Sequence, residues 1–252
     1  MSRPPRFRYR ATVAYIGTLF HGWQIQENAA RTVQAVLEEA FTRLERSRIR
    51  IEGASRTDAG VHADGQVIHF DLTRSREPRS IRDAVNSGLP GDVRLLDVRA
   101  AEPQFHARFD ARWKEYAYRW SRADVIPLRE APFVAPISPV ADAGRMREAA
   151  RLLPGTHDFG VFAVRPPAGE STVRTLHSIS IEEERSEIRA LLRGEGFLRG
   201  MARSICGLLA DVARNRFPPE RAAELLATGD RRLLAPKAAA HGLTLVTVNY
   251  GE

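Results

Sequence analysis

From Phe7 to Ile16 apolar and polar residues alternate with period two, which predicts a strand with successive side chains on opposite faces. The period then changes. Beyond Thr32, a residue type suited to capping a helix, Val33, Val36, Leu37, Ala40, Phe41 and Leu44 recur at the spacing of one helical face. Two strands follow, near Arg48–Ala54 and Gly65–Leu72. Ser80 with Asp83 three residues on resembles a capping box opening a short helix to about Leu89, stopped by Pro90-Gly91, and Val93–Ala100 reads as another strand. The order is β-α-β-β-α-β.

A similar order then returns. A strand spans Lys114–Ser121, a helix is capped by Asp142 and stopped at Pro154-Gly155, and strands follow near Val173–Glu183 and Glu187–Arg193. A long helix, Leu198 to about Asn215, precedes a short one opened by Pro218-Pro219 and closed by Gly229; Leu243–Tyr250 is the last strand. Two such copies predict an α+β fold: two fused split-βαβ (ferredoxin-like) subdomains, a mainly antiparallel sheet with helices on one face, and a cleft for a large ligand on the other. The boundary falls in the aperiodic stretch 101–112, "AEPQFHARFDAR", dividing the chain into 1–105 and 106–252. Arg122–Val140, with Pro127, Pro132, Pro136 and Pro139, reads as an irregular surface segment, and "AVRPPAGEST" as a further loop.

Charge narrows the partners. Lys and Arg number 38 against 31 Asp and Glu, a net +7, and lysine occurs only at Lys114 and Lys237. Guanidinium groups suit phosphate recognition, and a strongly basic chain is the usual footprint of nucleic-acid binding; a GC-rich genome, which encodes arginine readily, is the other source of such a bias. No apolar run reaches the roughly 20 residues that span a bilayer, and the basic start "MSRPPRFRYR" lacks the apolar core of a secretory signal, so a cytoplasmic protein with no membrane partner is expected. The single cysteine, Cys206, excludes an intrachain disulfide and thiolate-rich metal sites. The seven histidines form no H-E-x-x-H pattern, and neither a phosphate-binding G-x-x-x-x-G-K-[ST] loop nor a dinucleotide fingerprint is present; "GEGFLRG" has the wrong spacing. Chemistry without metal or cofactor is the expectation.

The stretch "GASRTDAGVHADGQVIHF", Gly53–Phe70, joins two predicted strands through about ten residues where most hairpins need two to five. Asp58 lies in this connection, followed by Ala59-Gly60, which allows a tight bend. An aspartate is ionised at neutral pH unless desolvated, and nearby Arg56 would hold it so, leaving a nucleophile or a base; capping a turn is the alternative role. On "WKEYAYRW", alternation puts Tyr116, Tyr118 and Trp120 on one face, either a platform for stacking bases or an ordinary core face. In "FLRGMARSICGLLADVARNR", Arg199 and Arg214 lie within about 40° of Arg203 around the helix, opposite Met201, Ile205, Leu208 and Val212, as either a binding stripe or a solvated face.

"GASRTDAGVHADGQVIHF" resembles the active-site motif of the tRNA pseudouridine synthase A family, whose loop reads close to G-R-T-D-A-G-V-H. The resemblance covers nearly the whole chain: "YIGTLFHGWQ", "TVQAVLEEA", "NSGLPGDV", "FHARFDARWKEYAYR", "HDFGVF", "TVRTL", "GFLRGMARSICGLL" and "HGLTLVTVNY" stand in family order. It implies a cofactor-free enzyme that isomerises uridines at positions 38, 39 and 40 of the tRNA anticodon stem-loop, acting as a homodimer with tRNA crossing both subunits. It implies Asp58 as nucleophile, Tyr116 stacking on the target base, Arg203 paired with the catalytic carboxylate, Arg56 holding the flipped nucleotide and Leu245 lining the pocket. Ser55 replaces a glycine common before R-T-D, and Thr244 stands where the family often has tyrosine.

Other classes remain distinguishable. A non-catalytic RNA-recognition module shares the β-α-β-β-α-β order but would carry K/R-G-F/Y-G/A-F-V-x-F/Y on a strand, which is absent. A glycosidase or base-excising hydrolase would need a partner carboxylate or would release free base.

Overall fold

The computed structural model describes residues 7–27, 31–164 and 169–251. The basic start before Phe7 and the centre of the "AVRPPAGEST" loop, 165–168, lie outside the described residues. In chain order the elements are β1 (Phe7–Tyr15), α1 (Val33–Glu45), β2 (Glu52–Gly53), β3 (His62–Leu72), α2 (Pro78–Ser87), β4 (Val93–Ala100), β5 (Trp113–Ser121), β6 (Ala135–Pro136), α3 (Ala143–Arg151), β7 (Gly155–Asp158), β8 (Val173–Glu184), β9 (Glu187–Gly194), α4 (Met201–Ala213), α5 (Arg221–Thr228) and β10 (Leu243–Asn249). The fold is α+β and its strands are mainly antiparallel.

By compactness the chain forms two units, the first running to Arg112 and taking in the C-terminal segment from Leu245, the second spanning Trp113–Thr244. The sequence pattern places its break after residue 105 and leaves the last strand with the second half. That strand returns to the first unit because β10 lies beside β3. Gly65 permits the approach: a Cβ there would sit 2.3 Å from the Val246 carbonyl oxygen.

In unit 1 the strand order is β4-β1-β3-β10, with β2 on β3. β1 is antiparallel to both neighbours, so Tyr9 faces Phe70 on one side and Ala100 on the other. Its alternate residues Tyr9, Ala11, Val13 and Tyr15 are buried. The Phe70 ring stacks on Tyr9 at 5.7 Å and meets Phe41 of α1 at 4.3 Å, which places α1 on this face of the sheet. Burial of each such aromatic contributes about 2–3 kcal/mol. Thr32 caps α1 as the spacing predicts, its Oγ1 accepting from the Ala35 N–H at 3.3 Å. The cap of α2 differs from the predicted Ser80: Glu77 accepts from the Ser80 N–H at 2.7 Å and Pro78 begins the helix, since proline's missing N–H costs nothing there.

The opposite face of β3 carries His69, whose Nδ1 accepts from the Ala107 N–H at 3.1 Å and so ties down the aperiodic 101–112 stretch. Burial, with the neighbouring His106 and Arg8 charges, pushes its pKa from 6.5 down to about 4. The unfolded chain binds this proton more readily, so His69 contributes stability that is complete above pH 6.5 and lost as the pH falls towards 4. The urea midpoint should therefore decline over that window in the wild-type protein and decline less in His69→Gln; equal slopes in the two proteins would refute the assignment.

In unit 2 the order is β5-β9-β8-β7, with the short β6 parallel to β5. β6 and β7 are additions to the predicted elements; each is too short to show a period. Asp142 caps α3, accepting from Gly144 N–H at 2.7 Å, and α5 ends at Gly229 in the left-handed region, φ +64°. The long helix starts later than predicted, because Gly200 at φ +76° is its N-cap. It also carries no arginine stripe. Every residue of α4 except Arg203 is buried, Arg199 precedes the helix, and Arg214 beyond its end pairs with buried Asp211 at 3.3 Å.

Candidate active site

Beyond the Ala54 N–H bond to Val67 O of β3 at 2.8 Å, the connection between β2 and β3, residues 54–61, is held by side chains and by a second loop. β2 stops after Gly53 because Gln66, fully buried on β3, takes over both backbone groups of Ser55: its Oε1 accepts from Ser55 N–H at 3.0 Å and its Nε2 donates to Ser55 O at 2.7 Å. An amide side chain offers the donor and acceptor that a neighbouring strand would. Ser55 has an ordinary negative φ, so the glycine often found at this position is not required.

From the other side the loop is gripped by residues 15–23. The Trp23 N–H donates to Thr57 O at 3.0 Å, and the Tyr15 and Thr57 hydroxyls are bonded at 2.8 Å in a buried position. Gly60 N–H donates to Phe20 O at 3.2 Å, while Val61 N–H donates to Asp58 O at 3.1 Å and closes the turn, with Gly60 at φ +80°. Gly17 N–H donates to His62 Nδ1 at 3.0 Å, which requires that nitrogen to be unprotonated. Two glycines make the contact possible. A Cβ at Gly17 would lie 2.0 Å from Val61 O, and one at Gly22, already at φ +91°, 2.9 Å from Thr57 O.

Asp58 is thus fixed through its backbone at both ends of a tight turn, with its side chain half-buried rather than sealed in the core. Arg56 is exposed and makes no ion pair or side-chain hydrogen bond with a described residue, so the expected Arg56–Asp58 pair is not formed. Thr57 between them turns inward to Tyr15, which leaves Arg56 directed to solvent. Leu245, also in unit 1, is fully buried, and Thr244 before it is half-buried.

Tyr116 and Arg203 belong to unit 2. Of the aromatic row on β5, Tyr118 and Trp120 are 0 % and 1 % exposed with rings 4.5 Å apart, and Tyr118 donates to Ala239 O at 2.9 Å. Those two are core, and no base can stack on them. Tyr116, 5 % exposed, meets Phe197 edge-on at 5.0 Å. Arg203 is anchored from both ends: its Nε donates to Ala238 O at 2.9 Å, and its carbonyl accepts from Ala238 N–H at 3.0 Å. One turn on, Gly207 lets the Pro236 carbonyl approach, to 2.1 Å of where a Cβ would be. Periodicity alone gives no signal for Tyr15, Thr57 or Gln66 as supports of the loop. The one local hint is the pair of glycines, Gly17 and Gly22, within "YIGTLFHGWQ".

A family model described as tRNA pseudouridine synthase matches residues 11–110 and 149–251. A protein named tRNA pseudouridine synthase A from Chlamydia trachomatis is 39 % identical over 241 residues, covering 94 % of this chain and 90 % of its own. One of the same name from Geobacillus kaustophilus is 39 % identical over 252 residues, 97 % of this chain and 95 % of its own. Another from Solidesulfovibrio magneticus is 41 % identical over 251 residues, 97 % and 91 %. Matched by that family model over most of its length and by relatives 39–41 % identical, this chain belongs to the tRNA pseudouridine synthase family, a family of isomerases.

Proposed function

We propose that this protein converts uridine to pseudouridine at positions 38, 39 and 40 of the tRNA anticodon stem-loop, with Asp58 as the nucleophile. The observation that carries the reading is the loop itself: a half-buried aspartate whose backbone is locked on both sides, next to an exposed Arg56 whose guanidinium makes no ion pair or side-chain hydrogen bond among the described residues. An exposed arginine two residues from the acid can take an RNA phosphate bidentately. The arginine-rich composition supports the same partner.

The reaction breaks the N1–C1′ bond of uridine and forms a C5–C1′ bond, the proton lost from C5 being balanced by one gained at N1. No electron acceptor is needed. The base must first leave its stack, at a cost of a few kcal/mol, which arginine–phosphate contacts and a ring against the extruded base would offset. In this reading Tyr116 packs against the target base, Arg203 neutralises the Asp58 carboxylate, Arg56 holds the turned-out nucleotide and Leu245 closes the apolar side of the pocket. Asp58 then acts by attack on the sugar or the pyrimidine, or by steering elimination, and its fixed backbone lowers the orientational cost of each. The enzyme works as a cytoplasmic homodimer with one tRNA crossing both subunits.

Mapping of modified uridines in tRNA from a strain lacking this protein tests the assignment. Pseudouridine should vanish at positions 38, 39 and 40 alone and return when the intact gene is supplied. Persistence at those positions, or loss confined to others, would overturn it.

A further inference from the structure

The Tyr15 hydroxyl lies 2.8 Å from Thr57 Oγ1 in a buried site, Tyr15 being 4 % and Thr57 7 % exposed. Because Thr57 is β-branched, its χ1 has few alternatives, and fixing Oγ1 fixes the residue as a whole. Its carbonyl is held independently by the Trp23 N–H. Asp58 follows directly, and its own carbonyl accepts from Val61 N–H at 3.1 Å. We infer that Tyr15 is a positioning residue for the reaction: through the Thr57 hydroxyl it sets the direction in which the Asp58 side chain leaves the loop. The inference rests on the reading of Asp58 as the nucleophile, and it goes further by assigning a role to a side chain on β1 that need not touch the substrate.

The tyrosine ring is also core, packed 6.2 Å from Trp23. Removing the whole side chain would therefore report on folding. Removing only the oxygen separates the two contributions. Tyr15→Phe keeps the ring and leaves Thr57 Oγ1 without this partner in a buried place, while the backbone bonds of residues 57, 58 and 60 persist. A slackened carboxylate acts in the chemical step and not in tRNA docking, since a misplacement of about 1 Å costs roughly a hundredfold in rate.

The test measures kcat, KM and tRNA Kd for Tyr15→Phe, Thr57→Val, the double variant, Thr57→Ser and Asp58→Asn, each with its thermal midpoint. Tyr15→Phe and Thr57→Val should each lower kcat ten- to a hundredfold with KM and Kd within twofold of wild type. The double variant should be no worse than either, because both remove one bond, and Thr57→Ser should recover kcat to within threefold. A Tyr15→Phe enzyme that is fully folded at the assay temperature with wild-type kcat overturns the inference, as do multiplicative losses in the double variant. The Asp58→Asn arm distinguishes the underlying reading: retained turnover there would remove Asp58 from the chemistry, whereas an inactive Asp58→Asn beside a fully active Tyr15→Phe would refute only the positioning role.

Discussion

Asp58→Asn is expected to lower pseudouridine formation by at least about 10³-fold while tRNA still binds with near wild-type affinity. Asparagine matches aspartate in size and removes only the negative charge and the nucleophilic oxygen pair. The bonds that shape the loop engage the backbone of Ser55, Thr57, Asp58 and Gly60 and the Thr57 hydroxyl, so they survive the exchange. Affinity should survive as well, because phosphate contacts dominate binding to nucleic acid and a chain carrying +7 offers many cations besides this loop. Single-turnover assays with saturating enzyme isolate the chemical step from binding. Turnover within tenfold of wild type would exclude Asp58 as nucleophile, and a parallel collapse of affinity would mean that the residue serves RNA docking instead.

The second large effect is structural and lies across the loop. Gly17→Ala would put a Cβ 2.0 Å from Val61 O and 2.5 Å from its carbonyl carbon, both backbone atoms with no side-chain freedom to yield. Relief requires the 17–19 turn to withdraw from the loop, breaking Gly17 N–H to His62 Nδ1 and straining Gly60 N–H to Phe20 O. Two buried bonds at about 1 kcal/mol each, with the overpacking, predict a destabilisation of about 3 kcal/mol or more and a matching loss of activity. Gly91→Ala is the control, since nothing lies within 4 Å of its Cβ position and φ there is not positive. It should fall within about 0.5 kcal/mol of wild type in urea unfolding. A Gly17→Ala protein as stable as the control would show that the loop does not depend on this contact.

Much of the architecture was legible because its signals are local. Thr32, Asp142 and Gly229 act within one helical turn, and the starts of α1 and α3 and the end of α5 follow from them; β4 has the predicted Val93–Ala100 limits unchanged. Where a local signal had two carriers the choice slipped, as when Glu77 with Pro78 displaced Ser80 at the start of α2. Angular arithmetic on α4 arrayed Arg199, Arg203 and Arg214 as a stripe. It could not register that the helix would be enclosed on nearly every side or that two of those arginines lie beyond its ends. The same holds on β5, where alternation found the aromatic row and burial alone decided that Tyr118 and Trp120 belong to the core.

Period, capping residues and turn chemistry operate over a few neighbouring positions, so the linear chain alone determined the order of the elements other than β6 and β7, the α+β class and the motif containing Asp58. What grips that motif was settled only in three dimensions. Tyr15 reaches Thr57 across 42 positions, and Gln66 meets Ser55 by folding back along its own hairpin. Gly65 and Val246 come together only when the last strand joins the first unit. Such contacts depend on close packing between segments remote in sequence, and no pattern within either segment encodes which partner it will meet.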